Sequence, residues 1–213
     1  MKGSQLALLG EWVLRVRVPE GEGPFPVFLL LHGWTGDEEA MWIFEPRLPK
    51  NALLIAPRGL YAAGPSGYSW YAEQARAWPK VEDFRAAVEG LLELLNPAVF
   101  PQGNFDELHL VGFSQGAATA YAFTLMYPER VSSVAGLAGF MPEGAKSLAT
   151  GGRLKGLPVF ITHGTKDKLV AVEKGREAAS LLEGAGALVC YCEDDVGHKL
   201  SLNCFRGLED FYR

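Results

Sequence analysis

A serine flanked by glycines forms the short motif with the most direct chemical meaning in this sequence. The motif reads GFSQG at 112–116, follows an apolar segment at 107–113 and runs directly into a second apolar segment that starts at Gln115. A strand that turns sharply into a helix lifts the serine hydroxyl clear of the sheet, and the flanking glycines remove side chains that would collide there. With 25 glycines in the chain the motif alone is weakly specific, but the strand before it and the helix after it predict a nucleophile at Ser114.

A serine hydroxyl needs a general base within hydrogen-bonding distance before it attacks at neutral pH. The chain has four histidines. His109 lies inside the strand that precedes the motif, and His32 and His163 each end an apolar strand before a glycine, so we expect structural roles for all three. His198 follows the last predicted strand in a loop just before the last predicted helix. We therefore predict that His198 is the base, although an isolated loop histidine is more often a solvated one.

The base needs a carboxylate to orient its ring, and the chain order serine, acid, histidine limits the choice of acid. Asp167 directly follows a predicted strand, whereas Asp194 and Asp195 lie too close to His198 in the sequence to orient its ring easily. Asp167 lies between two lysines, so a solvated acid in a surface turn is the alternative interpretation. We predict Asp167 as the acid, because Ser114, Asp167 and His198 then all follow parallel strands, whose carboxyl ends meet at one edge of a sheet.

Acyl transfer through Ser114 passes through an oxyanion, which needs two fixed N–H donors in a dry site. The backbone N–H of Gln115, directly after the nucleophile, is the first candidate donor. We expect the second donor in the glycine-containing loop LHGWTGD at 31–37, which follows the strand predicted at 27–31. An ordinary glycine-containing turn would have a similar sequence.

Short apolar segments alternate with longer amphipathic ones, which predicts an α/β fold with a mostly parallel sheet of about eight strands flanked by helices. Strands are predicted as an edge hairpin at 5–18 and at 27–31, 52–56, 107–113, 131–137, 158–162 and 187–192, and helices at 81–95, 115–127, 172–182 and 202–212. The segment at 57–79 has no clear periodicity and carries aromatic residues near its middle. Loops of that length are usually functional or mobile, so we expect it to form a wall of the binding site.

Composition and charge exclude several functional classes. Of the 213 residues 48% are hydrophobic and 21% are charged, as in globular proteins and unlike disordered chains. The net charge is −5 without a dense lysine or arginine run, so nucleic acid is not an expected partner. No apolar stretch approaches the roughly 20 residues that span a bilayer, and the amino terminus lacks the apolar core of a signal peptide. We therefore expect a cytoplasmic protein without stable membrane insertion.

The cysteines and the chain length set two further expectations. Three cysteines, an odd number, fit a reducing compartment. Cys190 and Cys192 are two residues apart in a predicted strand, beyond bridging distance, and Cys204 has no metal-ligand spacing to either. We expect three packed thiols and no bound metal. The length fits a single domain over 1–213.

Four segments give the chain a resemblance to a known family: LHGWTGDE at 31–38, GFSQGAA at 112–118, HGTKDKLV at 163–170 and VGHKLS at 196–201. Over nearly its whole length the chain resembles the α/β-hydrolase superfamily, and within it the phospholipase/carboxylesterase family that includes acyl-protein thioesterases. The resemblance implies a catalytic triad of Ser114, Asp167 and His198. It also implies an oxyanion hole formed by the backbone N–H groups of Trp34 and Gln115, no metal and no cofactor.

Differences from that family bear on the substrate. Acyl-protein thioesterases usually have another glycine where this chain has Ala117, and their loop after the fourth strand differs from the segment at 57–71. The segment at 141–156 is too short for a separate cap domain. We therefore expect an open site, covered at most by the loops around Trp34, Trp42 and 68–71. Aromatic rings of this kind more often pack on the scaffold than line a pocket, but a cluster of them near an ester site would favour an apolar acyl or aromatic group.

These features predict a serine carboxylesterase that hydrolyses a small-molecule ester through an acyl-enzyme intermediate. A thioesterase or a lysophospholipase that uses the same chemistry is the alternative within the class. A hydrolase-like protein that binds a ligand or partner without turnover is the alternative outside it, and the complete set of three side chains weighs against it. Nothing in the sequence indicates an oligomeric state.

Overall fold

A central sheet is built from segments spread over most of the chain. The computed structural model describes residues 3–72 and 78–213. Its strands are β1 Gln5–Leu9, β2 Trp12–Arg17, β3 Phe25–Leu31, β4 Leu53–Pro57, β5 Tyr61–Ala63, β6 Gly67–Ser69, β7 Gly103–Phe113, β8 Ser133–Leu137, β9 Pro158–Gly164 and β10 Leu188–Asp194. Eight of them form one sheet in the order β1-β2-β4-β3-β7-β8-β9-β10. Strand β2 pairs antiparallel with β1 and β4, and the remaining neighbours are parallel, which confirms the predicted sheet.

Helices cover both faces of this sheet. They are α1 Arg85–Leu94, α2 Gln115–Met126, α3 Ala145–Leu148, α4 Val172–Gly184 and α5 Leu202–Phe211, with 3₁₀ helices at Ala40–Arg47, Val81–Phe84 and Pro128–Arg130. In β3, Val27, Leu29 and Leu31 belong to the larger core, which also includes side chains of α1, α2 and α4. The alternate residues Phe28 and Leu30 belong to a smaller core with α5 and the first 3₁₀ helix. Two covered faces explain why the strand is an unbroken apolar run.

The segment at 57–79 contains structure that its sequence does not reveal. Strands β5 and β6 form an antiparallel hairpin, and Tyr68 pairs with Gly36 in the loop after β3. Each strand has only three residues, too few for a period-two pattern to be recognised. Residues 73–77 of this predicted loop lie outside the described residues.

The expectation that all three cysteines are packed thiols is wrong. Cys192 in β10 and Cys204 in α5 form a disulfide, with Cα atoms 5.8 Å apart, and Cys190 is an exposed free thiol. Helix α5 packs back against β10, and this tertiary contact brings together two cysteines whose spacing alone suggests no pairing. The cysteine count therefore no longer indicates a reducing compartment.

The segment between β8 and β9 contains the four-residue helix α3 and turns. The prediction that no separate cap domain lies over the sheet is therefore confirmed. Within the ranges 3–72 and 78–213, no helix has both the length and the apolar character needed to cross a bilayer.

His109 in β7 predicts a pH dependence of stability. Its ring stacks on Phe28 with centroids 4.5 Å apart, and its Nδ1 lies 2.7 Å from Ser133 Oγ. Burial lowers the pKa of His109 to about 4. Because the unfolded chain, with a histidine pKa near 6.5, binds a proton more readily, the free energy of unfolding should fall as the pH drops from about 6.5 to about 4. The ring is partly exposed, so we expect a loss on the order of 1–2 kcal/mol.

Urea unfolding at about pH 7 and about pH 4.5 measures this loss, with His109→Gln as the comparison. Glutamine keeps a hydrogen-bonding group beside Ser133 but does not titrate in this range. The variant should therefore lose less stability on acidification than the wild type. The same loss in both proteins would contradict the assignment to His109.

Candidate active site

Ser114 occupies the sharp turn between β7 and α2. Its backbone has φ 54° and ψ −115°, a left-handed conformation that is unfavourable for a residue with a side chain. The turn is held by a hydrogen bond from the Ser114 N–H to the Leu137 carbonyl oxygen, with an N···O distance of 2.8 Å. The side chain is half-buried and lines a cavity. A strained serine of this kind between a strand and a helix is the geometry of a nucleophile elbow.

Both glycines of the motif occupy positions without room for a Cβ atom. A Cβ at Gly112 would lie 2.2 Å from the Gly116 carbonyl oxygen, and a Cβ at Gly116 would lie 2.0 Å from the Leu31 carbonyl oxygen. The first contact lies within the turn itself, and the second lies between the start of α2 and the end of β3. The collisions predicted from the sequence therefore involve backbone atoms, which cannot move aside as a flexible side chain could.

Asp167 and His198 are in direct contact. Asp167 follows β9 and His198 follows β10, and these strands are neighbours in the sheet. His198 Nδ1 lies 2.6 Å from Asp167 Oδ2, and the Asp167 side chain is fully buried. Asp167 Oδ1 accepts hydrogen bonds from the backbone N–H groups of Leu169 and Val170 at 2.9 and 3.0 Å. An ionised carboxylate accepts from Nδ1–H, which leaves the lone pair of His198 on Nε2.

Ser114 and His198 line the same cavity. Phe113, the last residue of β7, also lines this cavity, and its ring centroid lies 4.9 Å from that of the His198 ring. Ser114 Oγ and the His198 ring, both among the described residues, do not form a hydrogen bond within 3.5 Å in this structure. Such contacts are often long in unliganded sites and shorten when the substrate binds. The structure thus pairs His198 with Asp167 and puts Ser114 on the wall of the cavity that His198 lines.

The loop after β3 lies against the serine, because β3 and β7 are adjacent in the sheet. A Cβ at Gly33 would lie 3.3 Å from the Ser114 Cβ, and Trp34 and Gln115 both line the cavity that contains Ser114. In the described part of the chain, neither the backbone N–H of Trp34 nor that of Gln115 donates to a protein acceptor. Neither group is therefore committed to another backbone acceptor among these residues.

The Gln115 side chain attaches the β5–β6 hairpin to the site, a role that the sequence did not indicate. Its Oε1 accepts from the Trp70 backbone N–H at 3.0 Å, and its Nε2 donates to Ser69 Oγ at 3.1 Å. The Trp70 indole N–H donates to the His32 carbonyl oxygen at 2.8 Å. These partners are far apart in the chain, so local patterns carry no signal for the contact.

A partly buried ion pair connects Glu38, in the loop after β3, to Arg58, directly after β4. Glu38 accepts hydrogen bonds from Arg58 Nε and Nη2 at 2.7 and 2.8 Å, and Arg58 Nη1 donates to the Tyr68 hydroxyl at 3.1 Å. Burial alone would raise the pKa of Glu38, but the hydrogen bonds from Arg58 and the backbone and the nearby positive charge keep it below its usual value. The pair therefore fixes the loop that carries Trp34.

We expect Glu38→Gln to lower the free energy of unfolding by about 2 kcal/mol, because Arg58 is left partly buried without its anionic partner. Ester hydrolysis should also slow as the loop that carries Trp34 loosens. Glu82→Gln is the control, since both side chains of the Glu82–Arg85 ion pair are exposed and the loss of such a pair costs below about 1 kcal/mol. Urea unfolding of both variants tests this, and equal losses would argue against the role of the partly buried pair.

The other histidines have the structural contacts predicted for them. His32 is buried, its Nε2 accepts from the Gly59 N–H at 2.8 Å, and burial lowers the pKa of His32. His163 is buried, and its Nε2 lies 2.8 Å from the Val170 carbonyl oxygen and 3.5 Å from Asp167 Oδ2. His109 packs on Phe28 in β3, away from the cavity.

Two cavities adjoin at His198. The first has a volume of about 680 Å³ and is lined by Ser114 and by apolar and aromatic side chains that include Tyr71, Trp78 and Leu169. The second, about 510 Å³, shares Trp34 and His198 with the first and extends toward the first 3₁₀ helix and α5. The site therefore offers two adjoining, mainly apolar volumes beside one imidazole.

The predicted aromatic walls are correct in part. Trp34 lines both cavities, and Ser69, Tyr71 and Trp78 from the segment at 57–79 line the first one. The Trp42 ring packs in the smaller core, the alternative that the sequence left open, while its neighbours Met41 and Ile43 line the second cavity. A tryptophan in a 3₁₀ helix that packs on a sheet buries its ring there, and the sequence does not distinguish that outcome from a site wall.

The arrangement offers a hydroxyl, an imidazole held by a carboxylate, two N–H donors and apolar cavities. Together these are the groups that acyl transfer requires. Within residues 3–72 and 78–213, no group of three or more His, Cys, Asp or Glu side chains is placed to hold a metal ion.

Comparison with known proteins identifies several relatives of this chain. A model of the phospholipase/carboxylesterase family matches residues 17–212. A rice (Oryza sativa subsp. japonica) protein named "probable inactive carboxylesterase" is 27% identical over 124 residues, which cover 56% of this chain and 49% of the relative. Acyl-protein thioesterase 1 of Schizosaccharomyces pombe is 26% identical over 184 residues, which cover 84% and 79%. The chain spans 49% and 57% of two carboxylesterase-named plant relatives, about half their length.

Solved structures confirm the fold. The Bacillus cereus carboxylesterase superposes with a TM-score of 0.83 at 23% identity, covering 95% of this chain and 94% of that one. A carboxylesterase from Mesorhizobium loti superposes with a TM-score of 0.82 at 22% identity, covering 99% and 98%. The architecture is thus the α/β-hydrolase fold, with a mostly parallel eight-stranded sheet and no separate cap.

Proposed function

Because this chain belongs to the phospholipase/carboxylesterase family, we propose that it is a serine carboxylesterase that hydrolyses small-molecule carboxylic esters. The observation that carries the proposal is the 2.6 Å contact between His198 Nδ1 and Asp167 Oδ2 beside a cavity that Ser114 lines. A buried carboxylate of this kind holds an imidazole in the tautomer that accepts a proton at Nε2. The proposed catalytic residues are therefore Ser114, Asp167 and His198.

In the proposed reaction, Ser114 Oγ attacks the ester carbonyl carbon while His198 Nε2 takes the hydroxyl proton. Asp167 stabilises the imidazolium that forms. The backbone N–H groups of Trp34 and Gln115 stabilise the oxyanion, and one such donor typically raises the rate by roughly a hundred- to thousandfold. The ester C–O bond then breaks, and His198 gives its proton to the departing alcohol. Water activated by His198 hydrolyses the acyl-enzyme and releases the acid.

The names of relatives define the alternatives to this proposal. One relative is named an acyl-protein thioesterase and another a probable inactive carboxylesterase. Rates with p-nitrophenyl butyrate, with the matching thioester and with lysophosphatidylcholine separate the three. We expect the oxygen ester to have the highest kcat/KM. A faster thioester or lysophospholipid would favour the alternative within the class, and no turnover of any substrate would favour a binding protein.

We also propose that residues 1–213 form one domain, which is supported by the shared sheet that includes β1 and β10. A cytoplasmic location stays a prediction of the sequence, and the disulfide between Cys192 and Cys204 argues for an oxidising compartment instead. Alkylation of intact cells before lysis, followed by mass analysis, decides between the two. Alkylated Cys192 and Cys204 would support the cytoplasm, and a pair that resists alkylation would not.

A further inference from the structure

The second cavity has a predominantly aromatic and aliphatic lining. The Phe44 ring stacks on Phe205 with centroids 5.5 Å apart and lies 6.5 Å from the Phe113 ring. Ile43 stands at this cavity with 66% of its surface exposed. Among the described residues that line it, Lys199 alone carries a permanent charge. A polar group that entered this volume would lose water and gain few side-chain hydrogen-bonding partners, since Thr35, His198 and Lys199 are the polar side chains among these lining residues.

The two cavities differ in which reacting groups they contact. Ser114 and Gln115 line the first cavity and are not part of the second, whereas His198 lines both. In acyl transfer the carbonyl carbon bonds to the serine, while the leaving oxygen must lie within hydrogen-bonding distance of the imidazole that protonates it. The chain attached to that oxygen therefore extends along the imidazole and away from Ser114. The second cavity contacts the imidazole without contacting Ser114.

We propose that the second cavity binds the alcohol part of the ester, that the first binds the acyl part, and that the preferred alcohol is uncharged and apolar or aromatic. This inference rests on the proposed function. In the first half-reaction the bond from Ser114 Oγ to the carbonyl carbon forms and the ester C–O bond breaks. The serine proton passes through His198 to the alcohol oxygen, and the neutral alcohol leaves through the second cavity. A glycerophosphocholine or a polypeptide leaving group would gain few hydrogen bonds from this lining.

Three exposed apolar side chains allow the two cavities to be tested separately. Ile43 lines only the second cavity, and Leu169, 74% exposed, lines only the first. Leu188 has the same 66% exposure as Ile43, but it is the first residue of β10, whereas His198 follows the other end of that strand. Because all three are exposed, their replacement by Asn leaves the core intact.

The experiment measures kcat/KM by acid release for two pairs of esters. One pair, methyl acetate and benzyl acetate, varies the alcohol, and the other, methyl acetate and methyl octanoate, varies the acyl chain. The wild type should prefer benzyl over methyl by about tenfold or more. Ile43→Asn should reduce this ratio by roughly three- to fivefold without changing the octanoate/acetate ratio. Leu169→Asn should do the reverse, and Leu188→Asn should change neither ratio.

Other results would overturn the inference. A benzyl/methyl ratio near one in the wild type, or equal effects of Ile43→Asn and Leu169→Asn on both ratios, would mean that the second cavity does not select the alcohol. Faster hydrolysis of lysophosphatidylcholine than of benzyl octanoate would exclude the apolar-alcohol preference. If the wild type hydrolysed no ester of either pair, the proposed function itself would fail, and that outcome is distinct from the others.

Discussion

Ser114→Ala is expected to lower kcat for p-nitrophenyl butyrate by about 10⁴- to 10⁶-fold, because the reaction loses its nucleophile. The donors of Trp34 and Gln115 and the cavities remain, so a small rate above that of water persists. A φ of 54° is as unfavourable for alanine as it is for serine, and the substitution removes no backbone hydrogen bond. The melting temperature should therefore stay within a few degrees of the wild-type value, roughly.

Steady-state kinetics and thermal unfolding together test this expectation. Ser147→Ala is the matched control, since Ser147 is exposed in α3 and makes only a local hydrogen bond to the Gly144 carbonyl oxygen. The control should retain wild-type kcat. Activity of Ser114→Ala within about tenfold of the wild type would remove Ser114 from the mechanism.

Asp167→Asn is expected to lower kcat by about 10⁴-fold through the tautomer of His198. Asp167 Oδ1 accepts two backbone N–H groups, from Leu169 and Val170. The asparagine oxygen would keep these two bonds, which turns its NH₂ group toward His198 Nδ1. That nitrogen must then accept a hydrogen bond, the ring proton moves to Nε2, and Nε2 can no longer take the proton of Ser114.

Asp194→Asn and Asp195→Asn serve as controls for this effect, because both acids were alternatives on sequence grounds. Asp195 is exposed and pairs with Lys166 at 2.7 Å, and neither acid contacts His198 in the described structure. Both control variants should keep kcat within about threefold of the wild type. A loss in either one as large as that in Asp167→Asn would reassign the acid.

Local sequence pattern was sufficient for the strands that carry the proposed catalytic residues. The unbroken apolar run of β3 predicts a strand covered on both faces, and the cores on its two sides bear this out. The contact between Asp167 and His198 was predictable because parallel strands end at one edge, so residues that follow neighbouring strands meet.

Features that depend on contacts distant in the chain could not be predicted in the same way. The Cys192–Cys204 disulfide depends on how α5 packs against β10, and the attachment of Gln115 to Ser69 and Trp70 depends on a hairpin too short to leave a pattern. The position of the Trp42 ring stayed open on sequence grounds, because a ring suited to a site wall is equally suited to a core. The second cavity requires the mutual placement of α5 and the first 3₁₀ helix, which no single segment encodes.

Covalent labelling tests the central claim most directly. The intact protein is treated with a fluorophosphonate, digested and mapped by mass spectrometry, in parallel with His198→Ala. The proposed chemistry predicts a phosphonyl adduct on the peptide that contains Ser114, with labelling strongly slowed in His198→Ala because the serine loses its base. An adduct on a different residue, or labelling at the same rate without His198, would contradict it.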